Sequence, residues 1–213
     1  MTIKTFMNMK KFLTFILAAS LMMAAGEKAS AQAYWTAAGG FTTFSLSGAD
    51  SKAFDVPSVP GFYFGVNLDY AFSPIDNLTV EPGAYIMHYG REFTILPGVI
   101  EAKSRPYHAN YIRIPVNLKY TFDSGSNAEF SVFTGPRFNF GIGGNMFDKD
   151  YSALKLSDAQ WGLGASVLIA DAVMVRGGYD FGLTRCVKDN NPFGEENLKV
   201  YRNTFYIGIG FAF

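Results

Sequence analysis

The sequence predicts an all-β chain, an eight-stranded antiparallel up-and-down transmembrane β-barrel. Three observations predict it. Segments of alternating apolar and polar residues recur eight times, the pattern of strands with two unlike faces. The links between them alternate short and long. The apolar faces carry no charge, while the opposite faces hold the ions. A bilayer accepts apolar side chains on the outside of a closed barrel, and closure leaves no backbone group unpaired.

The first 31 residues stand apart. Lys4, Lys10 and Lys11 precede an apolar run from Phe12 to Ala25, and Glu27-Lys28 and then Ala29-Ser30-Ala31 follow it. This order of basic, apolar and small-x-small regions predicts a secretory signal peptide over 1–31, with the barrel domain over 32–213. A helix crossing the hydrocarbon needs about 20 apolar residues, and this run has fourteen. No cysteine follows it at a lipoprotein-like position.

The strands fall near 34–46, 61–72, 78–89, 110–121, 129–140, 157–169, 173–184 and 203–213. The first is the least regular, because Ala37-Ala38-Gly39-Gly40 blurs its parity and predicts a bulge or bend. The second aligns Phe62, Phe64, Val66, Leu68, Tyr70 and Phe72 on one face. The fourth does the same with Ile112, Ile114, Val116, Leu118 and Tyr120, and the sixth with Trp161, Leu163, Ala165, Val167 and Ile169. The last presents Phe205, Ile207, Ile209, Phe211 and Phe213 at odd positions. Most segments reach the roughly 9–11 residues that a tilted membrane strand requires. Short links (Ser73–Asn77, Phe122–Ala128, Ala170–Ala172) alternate with long ones, as periplasmic turns and extracellular loops do. Tyr70, Phe72, Tyr120, Phe122, Phe130 and Phe213 gather at the short-turn end, where an interfacial girdle belongs. A soluble lipocalin-like barrel, with its apolar face inside, has no need of that band.

The same parity turns Asp69, Glu81, Arg113, Lys119, Glu129, Arg137, Asp158, Arg176 and Asp180 toward the lumen. An eight-stranded barrel has room inside only for side chains or one small ligand, so these ions are expected to pair in two tiers rather than line a channel. Arg113, Arg137, Asp158 and Asp180 fall toward the long-loop end, and Asp69, Glu81, Lys119, Glu129 and Arg176 toward the short turns. Replacing Arg137 by Ala is then expected to strand an acid and cost about 3–5 kcal/mol.

Composition narrows the function. Without Lys4, Lys10, Lys11, Lys28 and Glu27 the remaining chain has 14 bases and 17 acids, so nucleic acid is not an expected partner. Cys186 is the lone cysteine, which rules out an intramolecular disulfide. His88 and His108 are the only histidines. No metal site, cofactor or catalytic residue is assigned, because neither a nucleophile–base pair nor a clustered ligand set is legible. Gly141-Ile142-Gly143-Gly144 reads as a loop rather than a phosphate site, since no helix follows it. Asp148-Lys149-Asp150 and Asp189-Asn190-Asn191 lack the acidic spacing of a dedicated Ca²⁺ site.

Several motifs carry a family likeness. Asn110-Tyr111-Ile112-Arg113-Ile114-Pro115-Val116-Asn117-Leu118-Lys119-Tyr120 resembles the Tyr-x-x-Ile-Pro strand of the small outer-membrane β-barrel proteins of Bacteroidota, which include PorT-type barrels. Leu78-Thr79-Val80-Glu81-Pro82-Gly83 is similar to that family's Glu-Pro strand, and Tyr179-Asp180-Phe181-Gly182-Leu183-Thr184 to its Gly-Leu-Thr strand end. Tyr206, Gly208, Phe211 and Phe213 resemble the terminal signal read by the barrel-assembly machinery. The resemblance implies a Gram-negative outer-membrane address, contact with outer-membrane lipid, and a porin-like fold without a fixed activity. The expected role is non-enzymatic and monomeric: a surface barrel whose long loops bind an envelope or extracellular protein, or serve a structural role. Phe93, Ile95, Leu96, Val99, Ile100 and Tyr107 in the second long loop are the candidate binding residues, being too apolar for a solvated tip. The alternative is transport, as a narrow channel or as an accessory to a protein secretion system.

Overall fold

A computed structural model describes residues 33–51, 58–71, 75, 77–96, 99–122, 127–144, 155–187 and 198–213, and within 91–107 it describes the backbone alone. The signal-peptide expectation for 1–31 lies outside the described residues, as do Phe72 and both acidic loop motifs. The strands are β1 (Ala33–Ser47), β2 (Val59–Ala71), β3 (Leu78–Leu96), β4 (Val99–Phe122), β5 (Ala128–Gly143), β6 (Ser157–Ile169), β7 (Val173–Gly182) and β8 (Tyr201–Ala212). Each pairs antiparallel with its neighbour in sequence, and β1 pairs with β8, so the sheet is a closed eight-stranded barrel. Mutual backbone hydrogen bonds between Trp35 and Phe213 seal that last seam at the short-turn end.

Parity sets the two faces. Outside stand Trp35, Phe41, Phe64, Ile86, Leu118, Leu163, Ile209 and Phe211, all exposed. Inside, buried polar and aromatic residues fill the lumen. At the short-turn end Phe122 pairs with Phe130 across β4 and β5, and the Tyr120 and Phe122 rings meet edge-on at 5.1 Å. Phe41, Phe62, Trp161 and Phe181 form a second outward band nearer the long loops, with Phe41 opposite Phe62 and Trp161 opposite Phe181. Tyr70 and Phe62 lie eight residues apart on β2, which at about 3.4 Å per residue and a tilt of about 40° separates the bands by about 20 Å. That is close to the height of a bilayer-facing apolar belt.

Three expectations change. β1 holds no bulge: its register is continuous against β2 from Ala33 to Phe44 and against β8 from Thr36 to Ser47. The small residues there serve packing, since a Cβ on Gly40 would come within 2.2 Å of the Ile207 carbonyl oxygen. The irregularities lie elsewhere. The register shifts between Tyr89 and Arg91, at Gly90 with φ +116°, and again between Asn110 and Tyr111.

The second long loop is a hairpin. β3 and β4 continue pairing from Arg91↔Ser104 out to Leu96↔Val99, which leaves only Pro97-Gly98 between them. Phe93, Ile95, Leu96, Val99, Ile100 and Tyr107 are therefore strand residues; their side chains lie outside the described residues. Alternation of Glu92 and Thr94 with Phe93 and Ile95 favours this extension. Gly141-Ile142-Gly143 likewise belongs to β5, with Gly143 opposite Asn110.

A tight turn closes the shortest link. Between β6 and β7, Ala170 and Asp171 both adopt positive φ, 51° and 55°, and the Ala172 N–H donates to the Ile169 carbonyl at 3.2 Å. This is the mirror-image turn whose twist matches flanking strands.

Candidate functional site

Every strand contributes alternate residues to the lumen, so ions distant in sequence converge there. In the tier toward the long loops, Arg113 on β4 donates from Nη1 to Asp180 Oδ2 at 2.6 Å. Its Nε reaches Asn139 Oδ1 at 2.8 Å and its Nη2 reaches Gln160 Oε1 at 2.9 Å. Asp180 is fully buried and also faces Arg137 Nε at 3.3 Å. Asn139 Nδ2 donates to Asp158 Oδ1 at 2.8 Å and to Gln160 Oε1 at 3.0 Å. Asp158 in turn pairs with Arg202 Nη2 at 2.8 Å, while the Arg202 guanidinium lies 4.0 Å from the centre of the Tyr111 ring.

The tier toward the short turns is a second chain of charge. Lys119 Nζ lies 2.5 Å from Asp69 Oδ1 and 3.8 Å from Glu81 Oε2. Glu81 Oε1 accepts from Arg176 Nη2 at 2.8 Å and from Asn117 Nδ2 at 2.6 Å. Arg176 also stacks 4.4 Å over Phe133. Such pairing offsets the large cost of removing these ions from water. Between the tiers is a cavity of about 20 Å³, bordered by Arg113, Arg137, Arg176, Tyr63 and Tyr206 among others. It has room for about one water.

Above the upper tier lies a cluster of buried apolar side chains. Cys186, Val187, Leu198 and Val200, from the ends of the β7–β8 connection, are buried with Phe44, Val59, Tyr89 and Tyr111. The Cys186 N–H donates to the Val200 carbonyl at 2.9 Å. Burial pushes the Cys186 thiol up to about 12.

Of the nine expected lumen ions, eight are buried in these two tiers. Glu129 keeps the inward parity but stands exposed at the short-turn rim. Arg202 was not expected. Its signal was the even parity of Thr204 and Tyr206, extended by one turn of the alternation beyond the first residue assigned to the last strand. Arg137 is paired with Asp180, as the stranding argument requires, but Asp180 keeps Arg113 as a closer partner on its other oxygen, so the loss of Arg137 strands that acid only in part.

The terminal motif divides between the faces. Phe211 and Phe213 point outward, 60% and 74% exposed. Tyr206 is buried in the lumen against Tyr63, ring centres 5.9 Å apart. Gly208 leaves room for the Tyr63 hydroxyl, which a Cβ there would approach to 2.4 Å. His88 faces outward, 4.9 Å from the Phe62 ring, with Nδ1 2.5 Å from Asn110 Oδ1. His108 is exposed at the long-loop end.

The barrel fold has similar counterparts among solved structures. Neisserial surface protein A is similar at TM-score 0.54 and 14% identity, over 86% of this chain and 98% of its own. The outer membrane enzyme PagL is similar at 0.49 and 11%, over 84% and 97%. OprG from Pseudomonas aeruginosa is similar at 0.44 and 14%, over 84% and 95%. At these identities the likeness concerns the fold alone. No curated protein matches the sequence significantly. The sequence profile of the outer membrane protein beta-barrel domain matches residues 27–187. With that match covering well over half of its length, the chain belongs to the outer membrane protein β-barrel domain family.

Proposed function

We propose that this protein is a non-enzymatic, monomeric barrel of the Gram-negative outer membrane that engages an envelope or extracellular protein through its long-loop end. The observation that supports this reading is the filled lumen. Two tiers of ions occupy its middle, and Cys186, Val187, Leu198 and Val200 are buried at its long-loop end. An interior packed this way serves a scaffold better than a conduit, and a rigid scaffold presents its connections for recognition. Export by the signal peptide over 1–31, delivery by the barrel-assembly machinery and kinship with the PorT-like barrels of Bacteroidota belong to the same reading. The engagement of His88 with Asn110 on the outer wall supports a structural rather than a catalytic histidine.

Photo-crosslinking tests the partner directly. A crosslinking residue at Ala49 or Leu156, both exposed near the long-loop end, is expected to yield a protein adduct on intact cells. Adducts with lipid alone would count against partner binding. Reproducible openings in a planar bilayer, or loss of secreted cargo in a deletion strain, would move the assignment to transport or secretion. Release of acyl chains from purified lipopolysaccharide would overturn the non-enzymatic part.

A further inference from the structure

The lumen charges do not balance. Among the described residues, Arg113, Lys119, Arg137, Arg176 and Arg202 face Asp69, Glu81, Asp158 and Asp180, all of them buried. The lower tier is neutral, with Lys119 and Arg176 against Asp69 and Glu81, and Asp158 pairs with Arg202. The surplus is therefore local: Asp180 alone serves both Arg113 and Arg137. An arginine stays protonated in a protein, and protonating an acid would only enlarge the excess. An uncompensated buried charge is strongly unfavourable.

The surplus borders the cavity. Arg137 Nη2, Arg176 Nε and Nη1 and the Tyr63 hydroxyl lack a hydrogen-bond partner within the barrel, and all belong to residues lining that space. Among the lining residues Asn117 Oδ1 is an unpartnered acceptor, and just outside the lining Asp180 Oδ1, 3.3 Å from Arg137 Nε, is another. Two glycines make room for side chains that border the cavity. A Cβ at Gly162 would fall 2.4 Å from Arg137 Nη2, and one at Gly178 would fall 2.6 Å from the Tyr206 hydroxyl. We infer that the mid-lumen cavity is a binding site for a single monovalent anion of halide size, held by Arg137, Arg176 and Tyr63. The space holds about one water-sized particle, which suits a halide better than a polyatomic anion such as phosphate, and a cation would add to the surplus.

Thermal unfolding of the full barrel in zwitterionic detergent, followed by tryptophan fluorescence, tests the site. Sodium chloride, sodium bromide and sodium gluconate are compared at constant ionic strength. Chloride and bromide are expected to raise the melting temperature with increasing concentration, and gluconate, too large to enter, is not. At a halide concentration 100 times its Kd the folded-to-unfolded ratio rises about 100-fold. Arg137→Gln removes the surplus charge and is expected to abolish the halide response. Equal melting in chloride and gluconate would overturn the site in favour of water. A halide response undiminished in R137Q would overturn it in favour of binding elsewhere. If R137Q does not assemble, crystals of the unaltered protein grown in bromide decide. An anomalous peak between Arg137 and Arg176 supports the site, and its absence overturns it.

Discussion

Replacing Asp180 by Asn removes the one acid that two buried arginines share. Arg113 Nη1 lies 2.6 Å from one carboxylate oxygen and Arg137 Nε 3.3 Å from the other, and the Asp180 side chain is fully buried. With charge centres about 4 Å apart and an effective dielectric of about 20, each attraction is about 4 kcal/mol before desolvation is counted. The amide keeps the shape and can still accept one hydrogen bond, so the change isolates charge from packing. Breaking a buried pair by removing one partner costs about 3–5 kcal/mol, and the presence of two arginines puts Asp180→Asn at the upper end.

Arg137→Ala is the contrasting perturbation. Asp180 retains Arg113, and the excess positive charge disappears. What is lost is a 3.3 Å contact, a donation from Nη1 to the Gly135 carbonyl at 3.2 Å and some packing, about 1–2 kcal/mol. Urea unfolding from detergent micelles, read by tryptophan fluorescence and by the heat-dependent mobility shift on gels, measures both. The expected order is Asp180→Asn well above Arg137→Ala, and the double variant Asp180→Asn/Arg137→Gln should recover part of the first loss. A loss for Asp180→Asn within the roughly 0–1 kcal/mol of an exposed pair would refute the dry lumen. Equal losses for the two single variants would refute the shared-acid geometry.

Three other outcomes follow from single positions. Deleting Phe213 or replacing it with Asp takes away an outward apolar edge shared with Phe211, and membrane fractionation should show impaired outer-membrane assembly; normal surface levels would contradict this. With its thiol near 12, Cys186 carries thiolate at about one part in ten thousand at pH 8. Maleimide should therefore label the folded barrel slowly and the boiled protein completely; equally fast labelling of both forms would open the apolar cluster. Ala170 occupies the left-handed region, which costs an L-residue about 1–2 kcal/mol. Ala170→Gly should thus raise stability by up to about 1 kcal/mol in urea, after the added freedom of the unfolded chain is subtracted.

Strand parity was legible because a wall between lipid and lumen tolerates no slip: a one-residue shift would put Asp69 or Arg113 into hydrocarbon. The ends of the strands were less so. Hairpin pairing from Arg91 to Ser104 extends past the membrane belt, where no change of solvent marks its limit and the apolar residues there read as a sticky loop. The absence of a bulge at Ala37–Gly40 was hidden because small residues signal a bend and a close approach alike, and only the facing Ile207 and Gly208 backbone distinguishes them. Cross-barrel partners such as Arg113 and Asp180, 67 positions apart, depend on how far successive strands are staggered, which no single strand records.

The rim residues carry the largest consequence. Counting inward parity over strands expected at 129–140 and 203–213 admits Glu129 and stops short of Arg202, which gives five acids against four bases. In the folded barrel Glu129 is exposed at the short turns and Arg202 is buried against Asp158 and Tyr111, so among the described residues the interior holds four acids and five bases. One position at each end of the wall thus reverses the sign of the lumen. That reversal is what turns a network expected to neutralise itself into one with a cation to spare, and it places the excess beside unpartnered donors rather than at the solvated rim. Depth along the strand therefore decides whether an inward ion belongs to the interior or to the water outside it.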